Sequence, residues 1–376
     1  MTQTAIGKTT ATVAMKGGGY YSERTRGAKD VIDHASGMLL DAAAAIPEPA
    51  PGHALRIADF GAADGGTSKE TMFKLIGALK ARFPDRQIQM TYTDLPSNDF
   101  SVLFKNMLGL TPDTGHNYLS EFEDVFVDAC GIGFHRQLLP DASLDIGFSA
   151  TAMHYISEKP CEIENHVHMV GAEGPTLGAY AERAASDWQN ILLARAAELR
   201  PGGRLVILNF GKDEEGRYLG NTGGVNMFNT FDRLWKDMAA EGRITGMEYV
   251  NASFSQFYRT KEEFCAPLLD ESGPVHAAGL RLISARTGVT ACPYRAAFDA
   301  ANGAMSAREF AVSYVPTLRS WSETVFANGL DETRSANERA ALVDEFYQRY
   351  EDLVADNPDG HAMDYVHCYL EIEKVT

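Results

Sequence analysis

Leu55-Arg56-Ile57-Ala58-Asp59-Phe60-Gly61-Ala62-Ala63-Asp64-Gly65-Gly66 is the stretch that decides the fold. Leu55 to Phe60 is a short apolar run that reads as a strand. It passes directly into small residues and glycines, and from Lys69 to Ala81 the apolar residues recur at helical spacing. Strand, glycine loop and helix open a nucleotide-binding βαβ unit, because small residues let the backbone approach a ligand closely while it turns into the helix. A lone glycine loop is also an ordinary turn, so the weight rests on the order of the elements beyond it. Gln87 to Thr93 is a second strand ending at the acidic Asp94, and Ser143 to Ser149 is a third. Ala179 to Leu199 is helical, and Pro201-Gly202-Gly203-Arg204 leads into a strand over Leu205 to Phe210. This alternation predicts an α/β fold with a doubly wound, mainly parallel sheet.

Working outward, Ala28 to Ala45 reads as one helix, with Val31, Ile32, Ala35, Met38, Leu39 and Ala42 on its apolar face and Pro47, Pro49, Pro51 and Gly52 ending it. Beyond about Gly216 the regular alternation gives way to aromatic-rich helices and loops. Gly279 to Ala285 and Tyr365 to Glu373 read as strands that return to the sheet as its last pair. The expected division is a core of residues 1–215 with 276–290 and 361–376, and a helical cap of 216–275 and 291–360 that forms an acceptor pocket.

The 376 residues carry a formal net charge of -17 and no basic run, which opposes binding to nucleic acid or to an anionic membrane surface. No apolar stretch approaches the length of a membrane span. The segment Met1 to Met15 lacks the apolar run of a secretory signal and reads as a frayed tail. Cys130, Cys161, Cys265, Cys292 and Cys368 are scattered and odd in number, as reduced thiols of a cytoplasmic protein would be. His166 and His168 have a spacing that suits a metal on a strand, with Glu162 and Glu164 nearby, but no third ligand of clear spacing accompanies them, so no metal is expected.

The glycine loop lacks the full G-x-G-x-x-G spacing that supports a pyrophosphate, which disfavours a dinucleotide. Asp59 also suits a turn or a helix cap, and Asp94 a plain strand end. Further motifs resemble the SABATH family of carboxyl and N-methyltransferases over nearly the whole chain. Met15-Lys16-Gly17-Gly18 with Tyr21 is similar to the family's N-terminal block, and Asp94-Leu95-Pro96-Ser97-Asn98-Asp99-Phe100 to its Asp-Leu-Pro-x-Asn-Asp-Phe block. Gly133-Phe134-His135-Arg136-Gln137-Leu138-Leu139-Pro140, Ser149 to Pro160, and Phe346-Tyr347-Gln348-Arg349-Tyr350 match three more.

The resemblance implies S-adenosylmethionine (SAM) as cofactor, a small-molecule acceptor and a homodimer. It implies that Tyr21, Thr25, Asp59, Gly61, Asp94, Leu95, Gly133, Phe134 and Ser149 surround the cofactor, with Asp59 at its amino-acid end and Asp94 and Leu95 at its ribose and adenine. On the acceptor side it implies Lys16, Tyr21, Arg24, Ala28, Thr151, His154, Tyr155 and Phe228. Carboxyl-methylating members hold the carboxylate with a glutamine and a tryptophan, and here Ala28 and Tyr155 stand at those positions. Alanine offers no donor, so Arg24 or Arg26 is a candidate replacement, as is a solvated role for either.

His154 has two readings, a base at the acceptor or a hydrogen-bonded histidine in the pocket wall. Phe228, Phe231, Trp235, Phe254, Phe257, Tyr258 and Trp321 suit either the pocket or ordinary core. A carboxylate acceptor is already ionised at neutral pH and needs no base, an amine would need one, and a thioether needs neither. The leading expectation is carboxyl O-methylation of a small organic acid. The alternatives are N- or S-methylation and a SAM-fold protein that acts by binding alone.

Overall fold

The computed structural model describes residues 26–111 and 117–375. Lys16, Tyr21, Arg24, Thr25 and the Met1 to Met15 tail lie outside the described residues. Two helices, α1 (Arg26–His34) and α2 (Ser36–Ala45), stand where one was expected. His34 Nδ1 lies 3.2 Å from Thr290 Oγ1, and the Ala35 N–H bonds Ile32, three residues back instead of four. The α-helical ladder is therefore interrupted at Ala35.

The core continues as β1 (Leu55–Phe60), α3 (Lys69–Arg82), β2 (Ile88–Thr93), α4 (Phe100–Met107), α5 (Tyr118–Glu121), β3 (Val125–Cys130), β4 (Leu144–Ala150), α6 (Gly174–Glu198) and β5 (Leu199–Lys212). Next come α7 (Met227–Ala240), α8 (Gly246–Asn251), β6 (Arg259–Thr260), α9 (Lys261–Leu269), α10 (Pro274–Ala277), β7 (Leu280–Thr290), α11 (Pro293–Ala300), α12 (Ala307–Gly329), α13 (Ala336–Asp356) and β8 (Tyr365–Lys374). The sheet order is β3-β2-β1-β4-β5-β8-β7, with β6 paired to the end of β5. The strands from β3 to β5 are parallel; β8 is antiparallel to both of its neighbours. β7 and β8 return to the sheet as a pair, as their sequence pattern predicts.

Alternation along each strand buries both faces. Leu55 and Ile57 of β1 and Val206, Leu208 and Phe210 of β5 face a cluster that also holds Leu75, Ile76, Phe231 and Trp235. Ala58 and Phe60, with Leu205 and Ile207, face Trp188, Ile191 and Leu192 of α6 and Phe264 and Leu268 of α9. Above the sheet, α7, α12 and α13 pack through aromatic rings, Phe326 lying 4.2 Å from Phe346 and 5.0 Å from Trp235 between centroids. Capping boxes at Thr245, Thr260, Ser306 and Ser335 start α8, α9, α12 and α13. Among the described residues no helix is long and apolar enough to cross a membrane.

One buried ion pair fixes the loop after β3. Arg195 and Glu198, at the end of α6, have fully buried side chains, with Nε to Oε2 at 2.6 Å. Arg195 also donates to the carbonyls of Phe134 and Arg136, while Glu198 accepts from the N–H groups of Leu138 and Leu139. The pair thus holds four backbone groups of the segment 134–139, and the guanidinium lies 4.2 Å from the centre of the Phe60 ring. Removing one partner strands the other charge. Glu198→Ala is expected to destabilise the fold by about 3–5 kcal/mol in urea titration, and a loss under ~1 kcal/mol would show that the pair is not the clamp of this loop.

Candidate functional site

β1 lies between β2 and β4, so successive connections leave it in opposite directions and open a crevice at the carboxyl ends of the strands. The glycine loop turns there. Gly61 (φ +82°) and Gly65 (φ +71°) have the left-handed backbone that glycine adopts without strain, and Ala63 (φ +50°) adopts it against its preference. The N–H groups of Gly61 and Ala62 both reach the Thr93 carbonyl at the end of β2. One oxygen of Asp94 accepts from Ala63 N–H and the other from Leu95 N–H, each at 2.7 Å. Asn98 donates to the Ala63 carbonyl, and Asp99 caps α4 through Ser101 and Val102 N–H. The Asp94 to Phe100 block is thus the scaffold of the glycine loop, and its first residue keeps lone pairs free for a diol.

Carboxylates dominate this end of the sheet. Asp59 is 2% exposed, accepts from Ser68 Oγ at 2.7 Å, and has its pKa pushed up to about 7. Burial is the main cause, the Ser68 hydrogen bond opposes it, and the charge of Asp94 adds to it. Burial also raises Asp94, against the two N–H groups that stabilise its anion. Neither Asp59 nor Asp94 bonds a lysine or arginine among the described residues. A crevice with two such acids repels a pyrophosphate and favours a cationic ligand. Gly133 approaches Leu95 here, a Cβ built on it falling 3.3 Å from Leu95 Cδ2, and Phe134 flanks Gly61. Ser149 is fully buried and donates to the Phe60 carbonyl at 2.8 Å, tying β4 to β1 where the loop begins.

A second space adjoins the first. Thr151, His154, Tyr155, Phe210, Leu219, Gln256, Tyr258, Trp321, Met363 and Tyr365 line a cavity of about 360 Å³, its open mouth included. The segment 151–155 separates the two spaces. A Cβ on Gly61 would meet Ala152 Cβ at 2.4 Å, while Thr151, His154 and Tyr155 face the cavity. Thr151 has φ +56°, an uncommon backbone for a β-branched residue, and its hydroxyl lies 3.0 Å from His367 Nε2. His154 is 1% exposed, its Nδ1 has no hydrogen-bond partner among the described residues, and its ring lies against Tyr155, Phe210 and Tyr258. Burial first, then His367 and His168, hold it well below the usual histidine range. His367 is pushed down to about 3 by burial.

Of the expected acceptor-side residues that are described, Thr151, His154 and Tyr155 meet in the cavity. Ala28 does not: it is buried in the core, where α1 packs on β8. Phe228 is also elsewhere, stacked on His168 at 3.9 Å and edge-on to Trp321. Of the aromatic series, Tyr258 and Trp321 line the cavity, whereas Phe231 and Trp235 are core. Sequence reasoning missed Phe210, Leu219, Gln256, Met363 and Tyr365. The end of β5 and the start of β8 are legible as strands, but nothing in them marks a lining role, and Gln256 sits in an unpatterned loop. His166 and His168 have their ring nitrogens engaged by backbone, Asn229 and Gln256, and among the described residues no group of three metal-ligating side chains occurs.

A family model described as SAM dependent carboxyl methyltransferase matches residues 10–374. Gibberellic acid methyltransferase 1 of Arabidopsis thaliana is 26% identical over 245 residues, 57% of this chain and 61% of that protein. Methyltransferase LUC1 of a Fusarium species is 27% identical over 201 residues, 52% of this chain and 50% of that one. The chain spans less than two thirds of the length of these curated relatives. Among solved structures, a loganic acid methyltransferase with SAH has the same fold, with a TM-score of 0.73 at 19% identity over 96% of this chain and 99% of that one.

Asp59 makes the site pH-sensitive in a definite direction. Its folded value lies near 7 and its ordinary value is 3.8, so its contribution to stability is complete below about pH 4 and is lost as the pH rises through 7. The stability of the wild type minus that of Asp59→Asn is expected to fall between pH 4 and 7 and then level off in urea titrations. A difference that stays flat across that window would refute the buried, neutral Asp59.

Proposed function

The chain belongs to the SABATH family of SAM-dependent carboxyl methyltransferases, and on that premise we propose that it methylates the carboxylate of a small, largely apolar organic acid. The observation that carries this is the shared segment 151–155, which has a carboxylate-rich crevice on one side and, on the other, an aromatic cavity that is uncharged among the described residues. The residues of the crevice suit SAM. Two acids that bond no cation among the described residues match a ligand that bears an ammonium and a sulfonium, Asp94 has lone pairs for a ribose diol, and the cradle at Gly61 admits no side chain. When bound, SAM supplies a methyl group that is already activated by its positive sulfur.

The chain's own residues then have to orient the acceptor and exclude water. Phe210, Tyr258, Trp321 and Tyr365 offer ring faces to an apolar body, and Leu219 and Met363 complete its surround. No base is required of them, because a carboxylic acid of pKa about 4 is ionised at neutral pH. His154 serves as a wall on this account. A histidine held well below its ordinary range is a poor proton acceptor for an ammonium, which weighs against N-methylation. The core and cap boundaries at 216–275 and 291–360, a homodimer and a cytoplasmic location belong to the same proposal, the last supported by five unpaired cysteines.

Incubation with methyl-labelled SAM and benzoate, indole-3-acetate, gibberellic acid or loganic acid is expected to label at least one acid. The label should leave as methanol under mild alkali, and label that resists alkali would move the reaction to nitrogen or sulfur. In the same preparation Asp94→Ala is expected to weaken binding of S-adenosylhomocysteine by about 10-fold or more in calorimetry. Unchanged affinity would mean that the cofactor does not lie against the glycine loop.

A further inference from the structure

Gln256 is 1% exposed, lines the cavity and forms an antiparallel bridge with Tyr155. Its amide has a donor end and an acceptor end, and the hydrogen bonds behind it decide which end a ligand meets. Val170 N–H donates to His168 Nδ1 over 3.2 Å. A neutral imidazole accepts at one nitrogen and donates from the other, so the His168 proton sits on Nε2. That Nε2–H reaches Gln256 Oε1 at 3.2 Å, and the Tyr258 hydroxyl donates to the same oxygen at 3.1 Å. Both lone pairs of the amide oxygen are used. Gln256 Nε2 is thereby the end left over by these bonds, with Tyr155 beside it across the bridge. A proton of this amide and the Tyr155 O–H proton are left without an acceptor among the described residues.

We propose that the Gln256 amide and the Tyr155 hydroxyl form the subsite that receives the acceptor's carboxylate, and that the one-way run of hydrogen bonds behind them excludes acceptors bearing an ammonium. An ionised carboxylate only accepts hydrogen bonds, so it satisfies both protons at once. An ammonium only donates, and it would leave the buried Gln256 donor and the partly buried Tyr155 donor facing its own. Among the described residues that line the cavity there is no lysine, arginine, aspartate or glutamate, so hydrogen-bond polarity does the selecting among them. Gln256 thus supplies, from the loop before β6, the amide that Ala28 in α1 cannot. This rests on the carboxyl-methylation reading above and names the residues that choose its substrate class.

The test uses full-length protein loaded with S-adenosylhomocysteine for binding and with labelled SAM for turnover. The probes are benzoate and indole-3-acetate, each beside its amine counterpart, benzylamine and tryptamine. Wild-type protein is expected to bind and methylate an acid in preference to its amine. Gln256→Leu and Tyr155→Phe are each expected to raise KM for that acid by about 10- to 100-fold while kcat changes by less than about 3-fold. Gln256→Glu, which turns an acceptor toward the ligand, should lose the acid more completely and gain affinity for the amine. Unchanged S-adenosylhomocysteine affinity in calorimetry certifies that each variant is folded, and Tyr155→Phe keeps the test open should the Gln256 variants fail that control. Acids methylated with KM within about 2-fold of wild type in the folded variants would overturn the subsite and leave carboxyl methylation standing. Preference of wild type for the amines, or failure to bind either acid, would overturn carboxyl methylation and the subsite with it.

Discussion

Gly61 and Ala152 are in such close contact that a single methyl group added at Gly61 would lie 2.4 Å from the Ala152 Cβ. That contact welds the turn after β1 to the turn after β4, and most of the site's geometry depends on it. The Gly61 and Ala62 N–H groups share one carbonyl at the end of β2, so the first turn is held from the other side as well. The second turn is held by Ser149 on the Phe60 carbonyl and by Thr151 against His367. The two ligand spaces are therefore set side by side, because the wall between them is a few residues of backbone held from both sides. Orientation of this kind is a large share of what a displacement reaction asks of a protein.

The two sides of that wall differ in charge and in how their charge is managed. On the β1–β2 side, burial pushes carboxylates toward neutrality in the absence of a ligand, a state that a cationic ligand would reverse. On the cavity side, histidines 154, 168 and 367 are all held neutral by burial, so among the described residues the lining is uncharged and its selectivity lies in the direction of hydrogen bonds. Between the crevice and α6, the fully buried pair of Arg195 and Glu198 is committed to the backbone of the segment 134–139, away from either ligand. The charge of Arg195 is thereby spent on fixing the loop that borders one ligand space.

The parts of this arrangement that are legible from sequence are those that repeat locally. β1, α3, β2, β4 and β8 show in their apolar periodicity, and the Asp94 to Phe100 block falls on its proper turn because its residues bond to the glycine loop and cap a helix. β3 gives no such signal because it follows the acidic Glu121, Glu123 and Asp124 and is itself interrupted by Asp128, which an edge strand tolerates with Phe126 about half exposed. The break at Ala35 coincides with a contact from His34 to Thr290 of β7, 256 positions away in sequence, which no local pattern encodes. The cavity is legible on its 151–155 wall and, within an aromatic series that suited pocket or core, at Tyr258 and Trp321. Gln256 acts through His168 and Tyr258, and that kind of role has no sequence period to betray it. Phe228 matches the expected helical spacing, but the structure uses its ring to back His168.

The antiparallel return of β8 against β5 separates the two halves of the site in time. The crevice is assembled from β1, β2 and β4 with their intervening turns, whose contacts, such as Ala63 to Asp94 and Phe60 to Ser149, join residues 31 and 89 positions apart. The cavity also requires Tyr365 and the Thr151 to His367 contact, whose ends are 216 positions apart. Closing so long a loop costs entropy before any contact offsets it, and contacts of that range dominate slow folding. A refolding chain is thus set up to gain its cofactor crevice early and its acceptor cavity last, when β8 completes the sheet.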